Sequence, residues 1–178
     1  MKKKVLIVFG TRPEAIKFAP VIKELSNTFE LQICSTGQHK ELLDQVIELF
    51  DIKIDFDLNI MSSGQDLFSV TSSIITKIKD VLDKSKPDLV MVHGDTTTCM
   101  AASLASFYSR IDVAHLEAGL RTNDIYSPFP EELNRQITSL ISKIHFAPTE
   151  LSKLKLVEEN IPEENIYVVG NSVIDSLL

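Results

Sequence analysis

The sequence predicts an α/β domain: a mostly parallel sheet of about seven strands with helices on both faces, in three layers. Three observations carry that expectation. Short apolar runs alternate with longer segments of helical period along the whole chain. The runs are nearly all apolar rather than alternating, as in strands covered on both faces. Five of the six glycines follow such a run within about three residues, where a strand would turn into a helix.

Taken in order, Val5–Phe9 reads as the first strand and Pro13–Ser26 as the helix behind it. Leu31–Cys34 and Lys40–Phe50 repeat that pair, followed by a weaker strand near Ile54–Leu58. Leu67–Leu82 is a long amphipathic helix, and Leu89–Val92 returns to strand. Cys99–Tyr108, Val113–Leu116, Glu131–Ser142, Ile144–Phe146, Leu151–Glu159 and Ile166–Val169 complete the alternation. Strand and helix in strict succession imply parallel pairing through right-handed crossovers. At 178 residues the chain fits one domain over 1–178, with no internal linker or repeat.

Composition narrows the function. The chain is 44% hydrophobic and 24% charged, ordinary for a globular protein. A net charge of −7 disfavours nucleic-acid and anionic-membrane binding, which need basic patches. An anionic ligand would have to be met by a few placed cations. No signal peptide or membrane-length apolar run is visible, and Cys34 and Cys99 lack metal or redox spacing. A cytoplasmic setting follows as an expectation.

Ligands of open α/β sheets bind outside the carboxyl ends of the strands. That edge carries Arg12, Gln38, His39, His93, Asp95, Glu117 and Arg121, which should gather in one crevice. In FGTRPE, Pro13 suits a first helical position, and Arg12 adds a planar cation at a helix N-terminus. Lys17 adds a second charge or pairs with Glu14. The loop has neither a dinucleotide fingerprint nor a P-loop. In VHGDTTT, Asp95 is either the cap of the next helix or an acid or base, with Thr96 to Thr98 as competing caps. In HLEAGLR, Glu117 interrupts an apolar strand; burial would raise its pKa unless Arg121 or another cation pairs with it. In SPFPEELNR, Pro130 suits the first helical position, and Glu131 and Arg135 share a helix face. They either form a surface pair or face the crevice, which leaves Glu132 outward. In TGQHK, Gln38 and His39 offer neutral polar contacts or form a plain turn. The four histidines show no metal-ligand spacing.

Together, FGTRPEAIK, TGQHKELLDQV, LVMVHGDTTT, HLEAGLRT and SPFPEELNRQ resemble the non-hydrolysing UDP-N-acetylglucosamine 2-epimerases, in the same order from about Val5 to GNSVIDSLL. The resemblance implies two Rossmann-like domains in the glycosyltransferase-B arrangement, of which this chain is the N-terminal one. It implies conversion of UDP-N-acetylglucosamine to its manno epimer by elimination and re-addition of UDP, without cofactor or metal. It places Asp95, Glu117 and Glu131 as catalytic carboxylates. It places Arg12, Lys17 and Arg135 with substrate or diphosphate, and Gln38 and His39 near a sugar-nucleotide site. A homodimer and a role in surface-polysaccharide synthesis follow from the same likeness.

Two departures stand out. Family members are about twice as long, and the second domain, with most uridine contacts and a catalytic histidine, is absent from this chain. Little or no activity of the chain alone is therefore expected. Glu41 and Gly64 stand where members activated by substrate can carry Gln and Arg, which argues against such activation. The rival readings are a hydrolysing epimerase of the same architecture and a non-catalytic binding or dimerising module. A receiver domain fits less well, since it needs an acidic pair where Gly10-Thr11-Arg12 stands.

Overall fold

The computed structural model describes residues 2–37, 40–61 and 64–177, apart from the side chains of Lys40 and Glu41. Gln38 and His39 lie outside the described residues. Seven parallel strands form one sheet in the order β3-β2-β1-β4-β5-β6-β7. In chain order these are β1 (Lys4–Phe9), β2 (Glu30–Ser35), β3 (Phe56–Asp57), β4 (Leu89–His93), β5 (Asp112–Leu116), β6 (Ile144–Ala147) and β7 (Ile166–Val168). The helices are α1 (Arg12–Thr28), α2 (Lys40–Leu49), α3 (Leu67–Ser85), α4 (Thr97–Tyr108), α5 (Glu131–Ile141) and α6 (Glu150–Glu158). The chain winds outward from β1 to β3, crosses back to β4, and winds outward the other way to β7. The direction reverses between β1 and β4.

Successive strand side chains point to opposite faces, so each strand feeds two cores. Leu6, Val8, Val90 and Val92 pack with Ile74 and Ile78 of α3 and Ala101 and Ala105 of α4. Val5, Ile7, Phe9 and Met91 pack with Phe18 of α1 and Leu43 and Val46 of α2. A smaller cluster seats α6 through Ala118, Ala147, Leu156 and Ile166. Burial on both faces is why the runs read as apolar throughout. Burying a side chain such as Ile7 or Val90 stabilises the fold by about 1.5–3 kcal/mol before entropy is counted.

α4 is built from small residues: Thr97, Thr98, Cys99, Ala101, Ala102, Ser103, Ala105 and Ser106 are all buried. They let it pack closely between α3 and α5. The buried hydroxyls of Ser103 and Ser106 are satisfied within the helix, donating to the Cys99 and Ala102 carbonyls at 2.8 and 2.7 Å. This helix begins at Thr97 rather than Cys99, because the Thr96 hydroxyl accepts from Cys99 N–H at 3.0 Å and caps it. Pro13 is the second helical residue of α1, and Pro130 is the cap of α5 rather than its first residue. β3 is shorter than the expected Ile54–Leu58; only Phe56 and Asp57 pair with β2 at this sheet edge. After β7 the chain returns to α1, where the Ser176 hydroxyl donates to the Ile16 carbonyl at 2.6 Å. Among the described residues no helix is long and apolar enough to cross a membrane.

Candidate active site at the carboxyl edge of the sheet

Gly94 is the pivot of the edge. Its φ of +66° favours glycine, and its N–H donates to the Leu116 carbonyl at 2.9 Å. The His115 ring Nε2 lies 2.7 Å from the Gly94 carbonyl, and since a carbonyl only accepts, Nε2 carries the proton. These two bonds lock the end of β4 to β5. Asp95 follows Gly94 directly, and a Cβ placed on Gly94 would lie 3.6 Å from Glu117 Oε2. Glu117 Oε2 thus lies beside the glycine that Asp95 follows in the chain, although 22 positions separate the two acids in sequence.

Each carboxylate meets a cation. Lys17 Nζ, from α1, donates to Glu117 Oε1 at 2.5 Å. Arg135 Nη2, from α5, donates to Asp95 Oδ2 at 2.6 Å, and Asn134 Nδ2 donates to the Asp95 carbonyl at 2.9 Å. Asp95 is thus not the helix cap; Thr96 takes that role and leaves the carboxylate free to face α5. Glu117 itself sits at φ +65°, a left-handed conformation that costs a non-glycine residue about 1–2 kcal/mol. Its second oxygen is 3.5 Å from His93 Nε2. His93 is buried edge-on against Phe18. Burial first, then the charge of Lys17 and the neighbouring His115, holds its pKa well below the ordinary histidine value, so its ring is neutral.

Three expectations need correction. Glu132 does not face outward: it is fully buried, and its carboxylate accepts from Thr122 N–H, Asn123 N–H, Gln136 Nε2 and Arg135 Nη1 at 3.2–3.3 Å. The loop before α5 brings unpaired backbone donors to this position, which helical periodicity cannot reveal. Glu131 is half-buried in the first turn, four residues from Arg135 on the same face. Arg121 does not join the crevice. Its guanidinium is bidentate to Glu159 at 2.6 and 2.8 Å and also reaches Ser139 and the Leu120 carbonyl, stapling the loop after β5 to α5 and α6. Lys17 pairs with Glu117 rather than Glu14. Arg12 opens α1 and is exposed.

Sequence reasoning also missed Glu14. It is buried, and its Oε2 accepts from Gly10 N–H, Thr11 N–H and the Thr11 hydroxyl, while Oε1 accepts from the Thr96 hydroxyl. Burial pushes its carboxyl above the ordinary glutamate value, and the four donors oppose that shift. The available signal was the capping-box spacing of Thr11 and Glu14. A small cavity of about 10 Å³ lies between His93, Glu117 and the Gly170–Ser172 turn. A much larger groove of about 1180 Å³ lies beside α1 on the α1/α2 side of the sheet, and Asp95, Glu131 and Arg135 do not line it. The titratable side chains stand on the open edge, and the groove's size does not mark the chemistry. The arrangement gathers two cation-paired carboxylates and a neutral imidazole on one edge, groups of the kind that proton transfer uses.

Doubly wound parallel topology with such an edge defines a Rossmann-like domain of the glycosyltransferase-B type. A galactosyltransferase, the lipopolysaccharide outer core enzyme WaaB, shares that fold at a TM-score of 0.63 and 13% identity. A family model described as UDP-N-acetylglucosamine 2-epimerase matches residues 23–178. The chain belongs to that family. The UDP-N-acetylglucosamine 2-epimerase of Neisseria meningitidis is 59% identical over 177 residues, which cover 98% of this chain and 48% of that protein. A crystal structure of the epimerase from the same organism, bound to UDP-GlcNAc, superposes with a TM-score of 0.95 at 60% identity, over 98% of this chain and 47% of that one. The chain thus spans about half the length of the curated relatives it matches, and corresponds to their N-terminal half.

Proposed function

We propose that this chain supplies the carboxylate-bearing half of a non-hydrolysing UDP-N-acetylglucosamine 2-epimerase active site. The observation that carries this reading is that Asp95 and Glu117 follow the paired strands β4 and β5 and are each held by a cation from a different helix. Epimerisation at C2 needs a base to take the proton, an acid to return it on the other face, and positive charge for the departing UDP. Asp95, Glu117 and Glu131 fill the first two roles, and each well-placed acid or base contributes roughly 10²–10⁴ in rate. Arg12, Lys17 and Arg135 serve the diphosphate, with Lys17 and Arg135 drawn from their carboxylate partners as substrate enters. Gln38 and His39 belong to the same sugar-nucleotide site. The second domain of the longer relatives would close over this edge and complete the nucleotide contacts. The assembled enzyme is expected to be a cytoplasmic homodimer feeding surface-polysaccharide synthesis.

The test is solvent exchange. The chain, alone and joined to the second half of the Neisseria meningitidis relative, is incubated with UDP-N-acetylglucosamine in deuterated water. Expected for the joined protein is deuterium at C2 in both epimers with UDP retained on the sugar; the chain alone shows little turnover because half a site cannot position the substrate. Free N-acetylmannosamine with released UDP would replace this reading with the hydrolysing one.

A further inference from the structure

Glu14 lies at the reversal point of the sheet, where the loop after β1 and the loop after β4 diverge toward opposite faces. In such folds the loop N–H groups at this point are the usual cradle for a ligand's anion. Here the cradle is filled from within. Gly10 N–H and Thr11 N–H donate to Glu14 Oε2 at 3.0 and 2.8 Å, joined by the Thr11 hydroxyl at 2.8 Å. The other oxygen reaches across the gap to the Thr96 hydroxyl at 2.8 Å.

That last bond has a direction. A hydroxyl has one proton, and Thr96 gives it to Glu14; its lone pair then accepts from Cys99 N–H at 3.0 Å and caps α4. Thr96 follows Asp95, whose carbonyl and carboxylate are held by Asn134 and Arg135. A chain of named bonds therefore runs from Glu14 through Thr96 to the Asp95–Arg135 pair.

We propose that Glu14 is a positioning residue, an internal anion that clamps the β1 loop to the β4 loop and sets Asp95 against Arg135. Resting on the epimerase reading, this gives the reaction one further requirement in this half: Asp95 is aimed through Thr96, from the first loop of the fold. It also means that the Gly10 and Thr11 N–H groups after β1 are already used. Diphosphate contacts from the β1 loop then come from side chains such as Arg12 rather than from those two amides.

The experiment is NMR of the 178-residue chain without substrate, following the Arg135 guanidinium Nη–H signals, which include the donor to Asp95, and their exchange. Arg135 touches neither Glu14 nor Thr96 in any described bond, so a role limited to starting α1 would leave it unmoved. Expected is a shift and faster exchange of the Arg135 signal in Glu14→Gln, which must present an amide N–H to Thr96 or lose an acceptor. Thr96→Val gives the same change while Gly10 and Thr11 amides stay protected, and Thr96→Ser restores the wild-type signal. An unmoved Arg135 signal in Glu14→Gln, or in Thr96→Val should the first variant fail to fold, overturns the proposal. No substrate is needed, so this outcome is independent of the epimerase reading. In a joined protein that turns over, Glu14→Gln lowers kcat by about 10²-fold with KM held; unchanged kcat there also overturns it.

Discussion

Lys17 and Glu117 are a hundred positions apart in sequence and 2.5 Å apart in space. One sits a turn into α1 and the other directly follows β5, so their pairing ties the first helix to the carboxyl edge of the sheet across β1 and β4. Both side chains are largely but not fully shielded, at 19% and 17% exposure. Replacing Lys17 with Met leaves Glu117 facing only a neutral His93. The expected loss is about 2 kcal/mol, between the values for exposed and buried pairs. A Lys17→Met, Glu117→Gln double-mutant cycle in urea should show the two losses to be strongly non-additive. Additivity within about 0.3 kcal/mol would mean that the pair contributes nothing.

Asp95→Asn and Thr96→Ala separate the two roles that the sequence left tangled. Asp95→Asn keeps the cap of α4 and loses one charge partner of Arg135, which Glu132 still pairs, so it should cost no more than about 1 kcal/mol of stability, while an assembled epimerase loses roughly 10²–10⁴ in kcat. Thr96→Ala removes the cap and should cost about 1 kcal/mol of stability. A large stability loss in Asp95→Asn would return that residue to a structural role.

Three buried histidines make the fold acid-sensitive. Burial lowers His115 to about 3 and His145 to about 4, and holds His93 well below its ordinary value. All three are therefore neutral when folded and protonate on unfolding below pH 6.5. Their contribution is complete above that pH and is lost as pH falls toward the folded values. At pH 5, His115 and His145 each cost about 2 kcal/mol relative to neutral pH. Unfolding free energy measured from pH 7.5 to 4.5 should fall with a slope approaching three protons; a flat profile down to pH 5 would contradict the burial.

Gly119 is held at φ +89°, and a Cβ there would lie 2.2 Å from the Ser152 carbonyl oxygen of α6. That oxygen is backbone and cannot move aside cheaply. Gly119→Ala should destabilise by about 3 kcal/mol. A change in unfolding midpoint equivalent to less than 1 kcal/mol would show that α6 is free to shift.

Much of this molecule was legible in one dimension. The elements emerged in order because parallel strands covered on both faces leave continuous apolar runs, and helices leave a 3.6-residue period. The carboxyl edge was legible because glycines punctuate strand ends. Asp95 and Glu117 stood out as charges next to apolar strands, and each is paired with a cation from a helix, Arg135 and Lys17. Arg121 misled because a cation after a strand looks the same whether it faces ligand or staples a loop. Glu132 misled because two adjacent acids in a first helical turn share every local property.

By itself, then, the amino-acid order determined the layered parallel architecture and the edge on which charge collects. Both follow from local periodicity and from the steric rule that right-handed crossovers obey. Only the tertiary structure decided which charges are partners: Lys17 with Glu117, Arg135 with Asp95, Arg121 with Glu159, and Glu14 with two loops at once. Those choices depend on distances between elements far apart in the chain. They also depend on which backbone donors packing leaves unsatisfied, and local sequence carries neither quantity.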